Sequence, residues 1–274
     1  MATRTKATSS RSSRRHPPGD YVLTAIAYAE EAVADRKGKA FGKWIRLAAK
    51  RFLADLKRAQ RKRPPWNWSA PQANEACEFI ESLPHVEGSW NSATIKLEPA
   101  QVFFLVNLFG FRRHDGTRRF TTALLAVARK NAKSTLAAAI LLYVFCTEAD
   151  TGPQVLSAAT TGDQARIVWG VAKRMVEKQK DLREAFTLEP FANAIARYEV
   201  GGTFRPINAK ASTQDGLNPS ALSFDELHAH KTRDLYDVLR SAAGARKNPL
   251  FLYTTTEGYE NAGPWAEVRR FAWQ

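Results

Sequence analysis

Residues 128–135, ARKNAKST, place a lysine and two hydroxyls directly behind an apolar run, Phe120–Ala128. An apolar strand that enters a short polar loop and then a helix presents free N–H groups and a helix dipole to phosphate. Lys133 could reach the β- and γ-phosphates of a nucleotide, and the Ser134 hydroxyl could ligate Mg²⁺. The strict G-x-x-x-x-G-K-[ST] pattern is met only at Lys133-Ser134, because Val127 and Ala132 stand where it has glycines. Ala132 adds a methyl where backbone should approach phosphate. That costs little if its φ is negative and substantially more if the loop needs φ > 0. Alone, the segment also reads as an ordinary helix start.

Downstream, Ala221-Leu222-Ser223-Phe224-Asp225-Glu226 is a hydrophobic strand ending in two acids. In phosphoryl transfer such a pair divides the work: Asp225 would hold Mg²⁺ and Glu226 would polarise the attacking water. The bland reading is an N-cap for a helix over 231–243. Phe251-Leu252-Tyr253-Thr254-Thr255-Thr256 is a further strand ending in hydroxyls, which could contact a γ-phosphate or a water. Its bland reading is β-propensity and a turn. His228 and His230 follow the acids at spacings that read first as surface or core residues and only second as a metal pair.

These residues need rigid elements to position them. From residue 120 onward strands and helices alternate: strands at 120–128, 154–159, 220–224 and 249–255, helices at 134–145, 162–180 and 231–243. Gly201-Gly202 between 196–200 and 203–207 predicts a two-residue hairpin. Alternation of this kind implies an α/β fold, a mostly parallel sheet covered on both faces, with ligands at the carboxyl ends of the strands. Ahead of it, 21–34, 41–60, 71–83 and 97–108 read as helices. In the second, Phe41, Trp44, Ile45, Ala48, Phe52 and Leu56 fall on one face and Lys43, Arg46, Lys50 and Lys57 opposite. It is expected to dock by its aromatic side and show a basic ridge. Residues 1–19 are Ser/Thr/Arg-rich and are expected to be disordered.

The formal charge of +14 is concentrated in one segment. Residues 36–63 hold twelve Lys/Arg against Asp55 alone, while 64–274 hold 24 basic and 22 acidic residues. Contact with a polyanion, DNA or RNA, and a solvated helix face are the two readings. Cys77 and Cys146 have no pairing pattern and read as buried, reduced thiols. No apolar run reaches membrane-spanning length, and the N-terminus lacks the apolar stretch of a secretory signal.

Taken in order, LEPAQVFFLVNLFGF (97–111), ARKNAKSTLAAAI (128–140), DGLNPSALSFDELHAH (215–230) and LYTTTEG (252–258) resemble the large terminase subunits of tailed phages, motors that package DNA into proheads. The resemblance runs from Gly42-Lys43-Trp44 to Pro264-Trp265. It implies a P-loop NTPase fold of the ASCE type, with 20–95 as a helical basic extension and 96–274 as the ATPase core. It also implies Mg·ATP as the ligand. Arg129, Lys130, Asn131, Ala132, Lys133, Ser134 and Thr135 would form the nucleotide loop, Gln101 would read adenine, and Arg129 would act on the γ-phosphate. Ser134 and Asp225 would hold Mg²⁺, Glu226 would orient water, and Thr255 with its neighbours would couple hydrolysis to motion. Arg129 and Asn131 match the family's Arg-x-Asn loop signature, whereas position 132 is usually glycine.

Implied partners are double-stranded DNA, the portal protein, the small terminase subunit and further copies in a ring, the isolated chain being a monomer in the host cytoplasm. An arginine in trans is expected, with Arg205, Lys210, Arg240 and Arg246 as candidates. With nothing resembling the family's nuclease domain before Gln274, no nuclease activity is expected. Two rivals remain at this level: a nucleotide-independent DNA-binding scaffold with a decayed loop, and a DExH-type helicase fragment read from Asp225-Glu226-Leu227-His228.

Overall fold

The structure is a computed structural model that describes residues 20–147, 151–208, 216–229, 234–256 and 263–272. The N-terminal tail, His230 and Lys210 lie outside them. Four helices come first: α1 (Tyr21–Ala34), α2 (Lys43–Ala59), α3 (Ala70–Ser82) and α4 (Pro99–Gly110). Their starts follow local chemistry. Asp20 accepts from Leu23 N–H at 3.0 Å, and Ser69 caps α3 by accepting from Gln72 N–H. At α4 a capping box joins Glu98 and Gln101, with Pro99 in the first turn.

Helix α2 docks differently from the sequence expectation. Ala49, Phe52 and Asp55 are buried, while Trp44, Ile45 and Leu47 stay exposed. The apolar stripe is as periodic as expected, but it meets the body only at Phe41 and from Ala48 onward. Asp55, with no exposed surface, binds Arg58 at 3.0 Å and Arg119 at 2.7 Å. Arg119 in turn lies over the Trp66 ring, 3.4 Å from its centroid. A two-stranded ribbon, β1 (Asn67–Trp68) and β2 (Phe111–Arg112), completes this corner; the sequence did not signal it. The Trp68 ring occupies the space a side chain at Gly110 would need.

A seven-stranded sheet follows, in the order β3 (Thr122–Ala126), β9 (Leu250–Thr255), β8 (Pro219–Phe224), β4 (Gln154–Ala159), β7 (Gly202–Asn208), β6 (Ile195–Arg197), β5 (Leu188–Pro190). From β3 to β7 every pairing is parallel; β6 and β5 add an antiparallel edge. Helices α5 (Lys133–Thr147) and α6 (Gly162–Lys178) cover one face. Helices α8 (Asp234–Ala242) and α9 (Gly263–Ala272) cover the other, over Leu222, Phe224, Phe251 and Tyr253. Strand residues alternate between the two cores, which is why each strand reads as a continuous apolar run.

Several expected boundaries change, and the strand foreseen over 120–128 shortens to Thr122–Ala126. The helix foreseen over 162–180 breaks at Gln179, whose extended φ/ψ separates α6 from the short α7 (Lys180–Ala185). The hairpin is wider than two residues, because 198–200 form a 3₁₀ turn and only Gly201 is left-handed, at φ 66°.

Candidate functional site

The carboxyl ends of β3, β9 and β8 lie side by side. Because β9 is inserted between the other two, Ala126 pairs with Thr255 and Phe224 with Tyr253. The loop after β3 and the acids after β8 are thus separated by one strand, about 10 Å, and the threonines of β9 stand between them.

The loop holds two left-handed residues, Lys130 at φ 65° and Ala132 at φ 53°. Alternating backbone handedness of this kind turns successive N–H groups to one side, the geometry of an anion-binding nest. Ala132 therefore takes the conformation in which its methyl costs most. Its carbonyl starts α5 by accepting from Leu136 N–H at 2.9 Å. Asn131 braces the loop, donating from Nδ2 to the carbonyls of Ala128 at 3.0 Å and Arg129 at 3.2 Å. Arg129 is exposed, and its side chain forms no hydrogen bond among the described residues. Lys133 is only 8 % exposed, and its side chain has no hydrogen bond or ion pair among the described residues; its Nζ is not one of the solvent-shielded nitrogens left without a partner. A lysine with a buried stem at a helix start is suited to an anion brought by a ligand. Ser134 and Thr135 are half-buried in the first turn behind it.

At the end of β8, Asp225 is 5 % exposed. Its Oδ1 accepts from the Thr254 hydroxyl at 2.7 Å and from Glu226 N–H at 3.0 Å. Oδ2 receives no hydrogen bond among the described residues, leaving it for a cation or its water. Glu226 is left-handed, φ 50°, a strained state for this residue type that clusters at functional sites. The N-cap alternative for the acids is not realised: residues 227–229 form a 3₁₀ turn, and α8 begins at Asp234.

The threonines differ from expectation in what their hydroxyls do. Thr254 is committed to Asp225. Thr255 donates to Thr256 O at 2.8 Å and lies 2.8 Å from His228 Nδ1. Both are fully buried, so they organise the acids and do not offer free donors to a phosphate. His228 also lies 3.3 Å from Glu226 Oε2. It belongs to this cluster; His230, the other member of the metal pair read from the sequence, lies outside the described residues, among which no group of three or more potential metal-ligating side chains occurs.

Residues 99–273 match the family described as the terminase large subunit, ATPase domain. The chain belongs to that family. The large terminase subunit of Enterobacteria phage HK97 is 29% identical over 188 residues, covering 67% of this chain and 36% of that protein. The crystal structure of the HK97 large terminase superposes with a TM-score of 0.62 at 27% identity, over 73% of this chain and 41% of that one. Protein YmfN of Escherichia coli K12 is 41% identical over 78 residues, 28% of this chain and 16% of its own length. The chain thus spans well under half of these relatives.

The terminase ATPase domain has the P-loop NTPase fold, and the strand inserted between β3 and β8 is its ASCE feature. Not every candidate residue is gathered at the site. Gln101 accepts from Glu98 N–H at 2.9 Å in the cap of α4, and no hydrogen bond joins it to residues 128–135. Arg240 packs over Phe251 and bonds the Tyr236 and Tyr253 hydroxyls. Arg246 is bound to the carbonyls of Asn218 and Gly152, at the amino ends of β8 and β4, opposite the site. Both are occupied within the fold; of the arginines named for action in trans, only Arg205 has a side chain not held by a hydrogen bond among the described residues.

Proposed function

We propose that this chain is the motor domain of a phage large terminase, hydrolysing Mg·ATP to drive double-stranded DNA into a prohead. The observation that carries the reading is Lys133: a largely buried lysine without a side-chain partner among the described residues, at a helix start, behind a loop with nest geometry and one strand away from Asp225 and Glu226. Lys133 and the N–H groups of residues 129–135 bind the β- and γ-phosphates. Arg129, exposed beside the loop, neutralises charge that develops on the γ-phosphoryl group. Ser134 and Asp225 Oδ2 would hold Mg²⁺, which would supply positive charge to offset that of the phosphates. Glu226 orients the attacking water and accepts its proton. Thr255 links this chemistry to the loop, since its carbonyl accepts from Val127 N–H at 3.2 Å. Gln101 would meet adenine through its Nε2 donors, since its Oε1 is held by the cap to Glu98.

The partners follow from the same reading: DNA, the portal protein, the small terminase subunit and further copies in a ring, in which an arginine from a neighbour completes each site. A calorimetric titration with a non-hydrolysable ATP analogue and Mg²⁺ tests it. Binding by the parent chain that is lost in Lys133→Ala is expected. Absence of binding by the parent would favour the scaffold reading, in which α2 meets DNA without nucleotide.

A further inference from the structure

We propose that His228 is a positioning residue for hydrolysis, a shared N–H donor that holds Glu226 and Thr255 in register. The proposal rests on the ATPase reading above. A hydroxyl has one proton, and Thr255 gives its proton to Thr256 O at 2.8 Å. The Thr255 oxygen is left to accept from the His228 ring at 2.8 Å, as it does from the His228 backbone N–H at 3.4 Å. Nδ1 of His228 therefore carries the proton, and that N–H also faces Glu226 Oε2 at 3.3 Å.

Glu226 Oε2 is shielded from solvent and receives no well-aligned hydrogen bond. An unsatisfied carboxylate oxygen is costly, and the backbone of Glu226 is strained as well. The neighbouring 3₁₀ turn, in which Ala229 N–H donates to Glu226 O at 2.8 Å, returns the His228 ring over the acid. One N–H thus lies between two acceptors. Tilted toward Thr255, it fastens the 225–228 segment to β9 and, through Thr255 O and Val127 N–H, to the start of the phosphate loop. Tilted toward Glu226, it fixes the carboxylate that must face water. His228 touches neither nucleotide nor water in this scheme; it acts through Glu226.

The experiment measures ATP turnover and binding of a non-hydrolysable ATP analogue by the full chain and by Glu226→Gln, His228→Ala, His228→Asn and His228→Gln, with folding checked by thermal melts. His228→Ala is expected to keep its analogue affinity within about two-fold while kcat falls about ten-fold or more, the size expected when a reacting group is misplaced. Asn places an N–H near Nδ1 and restores most of the rate; Gln places one near Nε2 and does not. Turnover of His228→Ala at the parent rate, a loss confined to affinity, or equal failure of Asn and Gln would overturn the proposal. Equal turnover by the parent and Glu226→Gln would instead remove the ATPase reading, and this proposal with it.

Discussion

Ala132 decides how well the loop works. At φ 53° its side chain sits in the left-handed region, which costs an L-residue about 1 kcal/mol and glycine nothing. That strain is present before any ligand binds, so Ala132→Gly is expected to raise stability by up to about 1 kcal/mol, read as a higher urea midpoint. An unchanged or lower midpoint would mean that the loop holds this shape without that cost. The thiols are governed by burial. Cys77 and Cys146 are 0 % and 2 % exposed, and desolvation pushes Cys146 up to about 12 and Cys77 above its usual range. Neither should react with a thiol reagent at pH 8 in the folded chain, and both should react in denaturant. Rapid labelling of either in native buffer would contradict the packing.

Helix α2 is held by Ala49 and Phe52 in the core and by one buried charge. Asp55 is shut in between Arg58, Arg119 and the aromatic corner of Phe52, Trp66, Trp68 and Phe111. Removing the carboxylate leaves Arg119, 20% exposed, without its anion. Asp55→Ala is expected to destabilise the chain by about 3 kcal/mol, read as a lower urea midpoint. A midpoint close to that of the parent would show that aromatic packing alone holds the helix. Strand β9 has the opposite kind of role, since it sets distances. Its insertion between β3 and β8 is what lets two consecutive threonines reach Asp225, His228 and the loop start.

Across the whole molecule, chemistry and charge lie at opposite ends. Arg119 and Phe120, to which α2 docks, precede β3, whereas the phosphate loop follows it. The ridge is also narrower than expected, because Arg46 donates to the carbonyls of Asp35 and Arg36 at the end of α1. Lys43, Lys50 and Lys57 remain exposed. If the ridge meets DNA, changing these three to Gln lowers the slope of log affinity against log salt by about 3, while leaving analogue binding unchanged. An unaltered slope would assign the segment to another contact. No described helix is long and apolar enough to cross a membrane.

Much was legible because it is local. Strand β4 was read residue for residue, Gln154–Ala159, since a continuous apolar run between turn signals needs no knowledge of its neighbours. The starts of α1, α3 and α5, the Lys133-Ser134 pair and the two acids after β8 are likewise written in a few adjacent residues, and with them the family. Other features depend on residues far away in the chain. The two-residue strands β1 and β2 exist only as each other's partners. The commitment of Thr254 to Asp225 and of His228 to Thr255 spans 29 and 27 residues, and no spacing rule signals either. Nor could periodicity say that Trp44 would lie beyond the edge of the body and stay exposed, or which sign of φ Ala132 would take. Residue types and periodicity determined the elements and the chemistry they could carry. The tertiary structure decided which hydroxyl faces which acid, because hydrogen-bond partners are set by strand order and register, and those follow from packing the whole chain at once.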